Sequence, residues 1–168
     1  MDKMIRKLVV SCLAVVGMAG GTVAYANSTL DFCHAQTFAS LPESAVFSLF
    51  NLNKAGLANQ LGAVKIMFTP AGYQGYLAAL RRSGTLADVQ DGVKITAKAD
   101  GPRQMTGPCD APTVRVPSRF TYVDGKKAYH RQCTVVLRFV ANADSAIPMP
   151  KIAQMVVVPP LKSPQGAE

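Results

Sequence analysis

Few residues of this 168-residue chain have side chains that could carry out chemistry, and they are scattered. His34 follows Cys33, so these two residues could bind a metal together with another cysteine. No C-x-x-C or H-x-x-x-H spacing accompanies them, and such spacings are typical of metal sites. His130 lies in a segment of alternating polar and apolar residues beside Arg131. This pattern favours an exposed residue of a β-sheet over a general base.

The acidic residues and serines show no catalytic pattern either. Carboxylates occur singly, mostly in predicted turns, and Asp88 and Asp91, the nearest to a pair, flank a predicted helix end. The sequence has no G-x-S-x-G, P-loop or G-x-G-x-x-G motif, and no serine has an evident base nearby. We therefore predict that the protein is not an enzyme and that it has no catalytic residue, no cofactor and no metal.

The N-terminus has the order of segments found in an export signal. Basic residues precede an apolar run over residues 8–23, and Ala24 and Ala26 place small side chains where a signal peptidase requires them. An uncleaved inner-membrane anchor is the alternative, although about 16 apolar residues is at the short limit for a bilayer span. A lipoprotein signal ending at Cys12 would have too few apolar residues before it. We predict that residues 1–26 are a signal peptide and that the remainder is periplasmic.

Export would bring three cysteines into an oxidising compartment, where they can form at most one disulfide within the chain. If Asp124-Gly125 is the two-residue turn of a β-hairpin, Cys133 lies opposite Val116, and Cys109 lies more than about 20 Å further along a straight strand. A disulfide requires Cα atoms within about 7 Å of each other. The sequence therefore favours Cys33–Cys109 or Cys33–Cys133 and does not choose between them.

Helical periodicity begins at about residue 40 and continues through three predicted helices. The first is capped by Ser40, and the second is capped by Asn53 and extends to about Ile66. The third is the best defined, because Thr69 can cap it and Pro70 suits its first position. The apolar stripe of this third helix comprises Tyr73, Tyr76, Leu77 and Leu80.

Beyond these helices the apolar residues alternate with a period of two, which is typical of half-buried strands. Helices followed by antiparallel strands predict an α+β fold, with N-terminal helices packed on a curved four-stranded antiparallel sheet. Proline and glycine mark residues 101–112 as a loop. The predicted strands span residues 93–99, 114–122, 128–140 and 152–158.

Positive charge is spread along the chain without long basic runs. Beyond residue 26, fifteen lysines and arginines outnumber nine acidic residues, which gives a net charge of +6. This excess indicates either a solvated surface or a face for anionic lipid headgroups or an acidic partner. No aromatic and basic cluster or DNA-binding motif is present, so we expect no direct contact with nucleic acid.

Two sequence blocks resemble those of a known protein family. The stretch FTPAGYQGYLAAL at residues 68–80, followed by SGTL at 83–86, resembles the most characteristic block of the DotI/IcmL family of type IVB secretion systems, which includes TraM of related conjugation systems. The PKIAQ segment at residues 150–154 resembles the closing segment of the same family. The resemblance extends over roughly residues 45–158.

The resemblance implies a periplasmic domain with a cystatin-like cone fold that assembles with other proteins and does not catalyse. Its expected partners are other secretion or conjugation apparatus proteins, in homo- or hetero-oligomers, and the inner-membrane surface. Membrane-bound relatives carry a full transmembrane anchor, whereas this chain begins with an apparent cleavable signal. The residues that carry over are expected to determine the fold, and replacing Pro70 and Tyr73 should lower thermal stability. They are Phe68, Thr69, Pro70, Gly72, Tyr73, Leu80 and Gly84.

The predicted organisation has four parts: a signal peptide over residues 1–26, a lead-in segment over 27–40, the DotI/IcmL-like domain over 41–158 and a proline-rich tail over 159–168. An alternative function is a periplasmic small-ligand-binding protein on the same cone fold. An enlarged apolar pocket containing a polar group would favour ligand binding, and a filled core with an exposed apolar edge strand would favour assembly.

Overall fold

A computed structural model describes residues 32–33, 38–141 and 149–159 of the chain. Within these residues, helices occupy the N-terminal half and antiparallel strands the C-terminal half, so the predicted α+β fold is confirmed. The helices are α1 (Leu41–Phe50), α2 (Leu57–Lys65), α3 (Pro70–Arg82) and α4 (Thr85–Gln90), and the strands are β1 (Lys94–Ala99), β2 (Gln104–Thr106), β3 (Thr113–Asp124), β4 (Lys127–Ala141) and β5 (Pro150–Val158).

Helix α3 has the ends that its sequence predicts. The Thr69 hydroxyl oxygen accepts a hydrogen bond from the Gly72 backbone N–H at 3.1 Å, which satisfies one of the donors that every helix start leaves open. Pro70 occupies the first turn, and Gly84 follows the helix with a φ of +76°, a conformation that favours glycine. These local contacts define the length of α3 before any packing is considered.

The first two helices differ from their predicted starts. The position before α1 is Ser40, but its side chain makes no capping hydrogen bond. Helix α2 begins at Leu57, and the prediction that Asn53 caps it was wrong. The Asn53 side chain instead accepts a hydrogen bond from the Gly56 N–H at 2.9 Å. This bond closes a local turn ahead of the helix, because a short amide side chain competes with helical hydrogen bonding.

The sheet has the strand order β1-β3-β4-β5, and β2 pairs with β3 beyond the end of β1. The sequence predicted four strands and placed residues 101–112 in a loop, so the short β2 is a correction. Its three residues are all exposed and lie opposite residues 113–115 of β3. A strand this short has no buried face, and therefore it leaves no alternating pattern in the sequence.

The hairpin between β3 and β4 has a different turn from the one predicted. Asp124 pairs with Lys127, so the two-residue loop is Gly125-Lys126 and not Asp124-Gly125. Gly125 has a φ of +56°, which suits the first position of a hairpin turn. This shift places Cys133 opposite Ser118 and not opposite Val116.

The core fills the space between the helices and one face of the sheet. Helix α1 packs on β1 and β3, and α3 packs on β5. Residues of the lead-in also enter this core, since Phe32 and Phe38 are each 2% exposed. Other fully buried side chains include Leu49, Leu52, Tyr76, Ile95, Val114, Val116, Leu137, Phe139 and Ile152.

Candidate functional site

The FTP segment docks directly on strand β5 by backbone hydrogen bonds. The Thr69 N–H donates to the Ile152 carbonyl at 3.0 Å, and the Ile152 N–H donates to the Met67 carbonyl at 2.7 Å. Phe68 and Ile152 thereby form a parallel bridge at the outer edge of the sheet. We name this contact, made by residues 67–73 and 150–154, the α3–β5 junction.

Gly72 allows the two parts of the junction to approach closely. A Cβ atom at this position would lie 2.4 Å from the Ile152 carbonyl oxygen and 3.0 Å from the Ala153 carbonyl oxygen. Both are backbone atoms that cannot rotate away. Only a residue without a side chain therefore permits α3 to start this close to β5.

Three aromatic rings pack behind the junction. The ring of Phe68 stacks on that of Tyr76 with centroids 5.2 Å apart, and Tyr73 lies 6.1 Å from Phe68. The Tyr76 hydroxyl donates to the Leu49 carbonyl at 2.6 Å, and the Tyr73 hydroxyl donates to the Leu61 carbonyl at 3.1 Å. These two bonds tie α3 to the end of α1 and to the middle of α2.

The Tyr76 hydroxyl belongs to the structural core and not to a reactive centre. Burial away from water raises the pKa of Tyr76 above the ordinary tyrosine value of 10.0, and the neighbouring Tyr73 adds to the shift. A raised pKa keeps this hydroxyl protonated, so it remains a hydrogen-bond donor to Leu49. A general base would require the opposite shift.

A disulfide joins Cys33 of the lead-in to Cys109 of the loop after β2, across 76 residues of sequence. The Phe32 N–H donates to the Cys109 carbonyl at 2.8 Å, and the Phe32 ring packs 5.1 Å from that of Phe38. Cys133, the other candidate, is buried in β4 outside this disulfide. Of the two pairings that the sequence left open, the structure has Cys33–Cys109.

Strand β5 forms one edge of the sheet. Residues 67–69 pair with its outer edge at Ile152, and in the described parts of the chain no strand pairs with it beyond that point. The rest of β5 includes four consecutive apolar residues, Met155 to Val158, of which the three valines are half-buried. Such an edge offers unpaired backbone groups and apolar side chains to another strand.

A small cavity of about 150 Å³ lies beside the ion pair of Arg119 with Asp100, which measures 2.9 Å. Its lining mixes polar and apolar surface, and its volume is far below the roughly 300–1,000 Å³ of a typical ligand pocket. It therefore does not match the enlarged apolar pocket that a small-ligand-binding protein would need. Its walls are formed by Asp100, Pro117, Ser118, Gln132, Cys133 and Thr134.

The structure also locates the residues that were weighed for chemistry. His130 is exposed on β4, with its Nδ1 atom 3.1 Å from the Thr121 hydroxyl. Among residues 32–33, 38–141 and 149–159, no group of three or more histidine, cysteine or acidic side chains could hold a metal. None of the helices in these ranges is long and apolar enough to cross a membrane. His34 and the cleavage residues Ala24 and Ala26 lie outside the described residues.

The fold determinants proposed from the sequence come together only in part. Phe68, Thr69, Gly72 and Tyr73 lie in the α3–β5 junction, and Pro70 starts the helix beside them. Two others lie further along the helix axis. Leu80 is buried two turns away, and Gly84 follows the helix end.

Sequence reasoning missed the contact between the FTP and IAQ blocks, which lie about 80 residues apart. Their joint occurrence in order was the available signal, and the hydrogen bonds of Ile152 to Met67 and Thr69 supply its physical reason. The sequence likewise gave no sign that the Lys151 ammonium donates to the Ile66 carbonyl at the same junction. Both contacts depend on how the last strand returns to the helices.

The fold is that of periplasmic domains from type IV secretion proteins. An IcmL-like type IV secretion system protein from Legionella pneumophila superposes with a TM-score of 0.67 and 17% identity, covering 78% of this chain and 96% of that one. The periplasmic domain of DotI gives a TM-score of 0.64 and 21% identity, covering 74% of this chain and 96% of that domain. A periplasmic fragment of TraM gives a TM-score of 0.56 and 18% identity, covering 71% of this chain and 93% of that fragment.

These similarities confirm at the level of fold the resemblance seen in the sequence. No family model matches the chain, and no curated protein matches it. The shared architecture nevertheless includes nearly the full length of each solved domain. The same fold class was predicted from the sequence, with helices packed on an antiparallel sheet.

Proposed function

We propose that this protein is a non-catalytic assembly component of a type IV secretion or conjugation apparatus and works in the periplasm. The observation that carries this proposal is the fold shared with the IcmL-like protein, DotI and TraM over 93–96% of those chains. Residues 1–26 would direct export, and the Cys33–Cys109 disulfide suits an oxidising compartment.

The shape of the domain supports a role in assembly. Among the described residues, buried apolar side chains pack between helices and sheet, whereas the apolar segment Met155 to Val158 lies on an edge strand. Pairing of this edge with a strand of another protein would satisfy backbone groups and bury the valines, which is a common mode of protein recognition. A packed apolar core together with an apolar edge strand supports a role in assembly.

Site-specific photocrosslinking in the native host tests the proposal. A crosslinking amino acid at Val156 on the edge strand should capture apparatus proteins encoded near this gene, identified by mass spectrometry. The matched control is Asn59, an exposed residue of α2, where we expect no such adduct. Deletion of the gene should also abolish transfer of a secreted protein or conjugative DNA. Unchanged transfer after deletion would contradict the proposal.

A second measurement tests the location. The chain recovered from the cell envelope should begin at Asn27, the residue that follows Ala26, when its N-terminus is read by mass spectrometry. A chain that retains Met1 and sediments with the inner membrane would show that the segment is an anchor. Recovery in the cytosol would contradict a periplasmic role altogether.

A further inference from the structure

On one face of the sheet, almost all of the charged side chains are basic. We name it the outer sheet face: the side of β1, β3 and β4 that is turned away from the helices. Side-chain alternation along each strand places five exposed basic residues there. They are Lys94, Lys98, Arg115, Arg119 and Arg138.

Acidic residues do little to neutralise this face. Among the described residues, Asp100 is the acidic group that pairs with it, and its carboxylate contacts Arg119 at 2.9 Å. The same carboxylate accepts from the Gln132 amide at 3.3 Å. The other side chains of the face are largely threonine, glutamine and valine, so the face keeps a net positive charge.

Two pairs of basic residues are close enough to repel each other. Lys98 lies directly opposite Arg119 in the pairing of β1 with β3. Arg115 lies opposite Val136, which makes Arg138 its diagonal neighbour on β4. Like charges in directly opposed positions of a sheet are destabilising, and the Asp100 carboxylate offsets part of this repulsion at Arg119. An anionic partner would offset the repulsion.

The distribution of the charges favours a lipid surface over an acidic protein. The five residues spread over three adjacent strands, about 10 Å across, and over ten residues of β3, from the level of Arg138 opposite Thr113 to that of Lys94 opposite Val123, about 33 Å along. They form an elongated two-dimensional array and not a line, and two pairs within it, Lys98 with Arg119 and Arg115 with Arg138, lie within a Debye length of about 8–10 Å.

Exposed apolar anchors are missing from this face. The large exposed hydrophobic residues in the described chain are Phe47, Ile66, Met105 and Met149, and none of them lies on it. Protein interfaces concentrate their binding energy in such anchors, whereas attraction to anionic headgroups needs only the charges. We propose that the outer sheet face binds the anionic headgroup layer of a phospholipid membrane.

Protection of lysine side chains from acetylation tests this contact, in mixtures that contain only the full chain and lipid vesicles. The protein is acetylated briefly with vesicles that contain about one third phosphatidylglycerol and, separately, with pure phosphatidylcholine vesicles. We expect Lys94 and Lys98 to lose reactivity on the anionic vesicles only. Lys54 and Lys65, which are exposed on the helical side, are internal controls and should remain reactive.

A matched pair of triple variants measures the strength of the contact. Each basic residue near an anionic surface strengthens binding roughly fivefold, so K98Q/R115Q/R138Q should bind phosphatidylglycerol vesicles roughly a hundredfold more weakly. The control K54Q/K65Q/R82Q removes the same charge from the helical side and should bind nearly as the natural chain does. Added salt should weaken binding, because these charges are exposed.

Two results would overturn the proposal. The first is equal protection of all four lysines, or equal binding by the two triple variants. The second is protection of Lys94 and Lys98 by poly-L-glutamate but not by anionic vesicles, which would assign the face to an acidic polypeptide. Because no apparatus protein is present in these assays, their outcome is independent of the proposed function.

Discussion

Replacing Gly72 by alanine is the sharpest test of the α3–β5 junction. The added Cβ would lie 2.4 Å from the Ile152 carbonyl oxygen, whereas ordinary carbon–oxygen contacts are about 3.3–3.6 Å. Helix α3 or strand β5 would therefore have to move by about 1 Å. A shift of this size also weakens the hydrogen bond from Thr69 to Ile152, now 3.0 Å long.

The expected loss of stability follows from three contributions. Overpacking typically costs about 1–3 kcal/mol, and a weakened backbone hydrogen bond costs about 1 kcal/mol more. Alanine stabilises a helix by up to about 1 kcal/mol relative to glycine, which offsets part of this. The net expectation for G72A is a loss of about 2 kcal/mol, or a fall in melting temperature of about 8 °C for a domain of this size.

Gly75→Ala in the same helix is the matched control. A Cβ at position 75 meets nothing within 4 Å, so G75A should gain about 0.5–1 kcal/mol from helix propensity alone. Melting followed by circular dichroism, together with urea unfolding, measures both variants. If G72A melts at or above the natural protein while G75A behaves as expected, the close approach of α3 to β5 does not constrain the fold.

Three further predictions concern the hydrogen bonds of Tyr76 and Tyr73 behind this junction and the disulfide of the lead-in. Y76F leaves the buried Leu49 carbonyl without its donor and should cost about 1–3 kcal/mol in urea unfolding. The Tyr76 pKa is raised in the folded state, so above about pH 10 the unfolded chain releases this proton and the folded chain keeps it. The natural protein should therefore lose stability as pH rises above about 10. Y76F should lose less stability over the same range. Y73F removes a partly buried hydrogen bond and should cost about 1 kcal/mol, and a melting temperature equal to that of the natural protein would count against that bond. C33S/C109S opens a loop of 76 residues and should lower the free energy of unfolding by about 4 kcal/mol. The melting temperature of this variant should not respond to reductant, whereas that of the natural chain should fall. A natural chain that is equally insensitive to reductant would contradict the prediction.

The predictions that succeeded rest on interactions between near neighbours in sequence. Helix α3 is an example, because its cap at Thr69, its apolar stripe and the glycine at its end all act within a few residues. Strands β3 and β4 were found for the same reason, since alternation along a strand is a local pattern. The segments that were misplaced, the start of α2 and the short β2, carry weak or competing local signals.

The candidate site was less accessible from the sequence. Gly72 was expected to matter for the fold, but the reason lies in carbonyl groups of Ile152 and Ala153, about 80 residues away. The disulfide depended on the position of the lead-in, where Phe32 is buried against Phe38. A one-residue difference in the hairpin turn was enough to misplace the partner of Cys133, because register in a hairpin follows from its turn.

The sequence by itself determined the order of the longer helices and strands, the ends of α3, the excess of positive charge and the resemblance to DotI and IcmL proteins. Each of these depends on composition or on neighbouring residues. Only the tertiary structure decided that Cys33 pairs with Cys109, that the FTP segment docks on Ile152 and that basic residues gather on one face of the sheet. These features depend on which segments, distant in sequence, come into contact. Those contacts follow from the way the helices pack against the sheet.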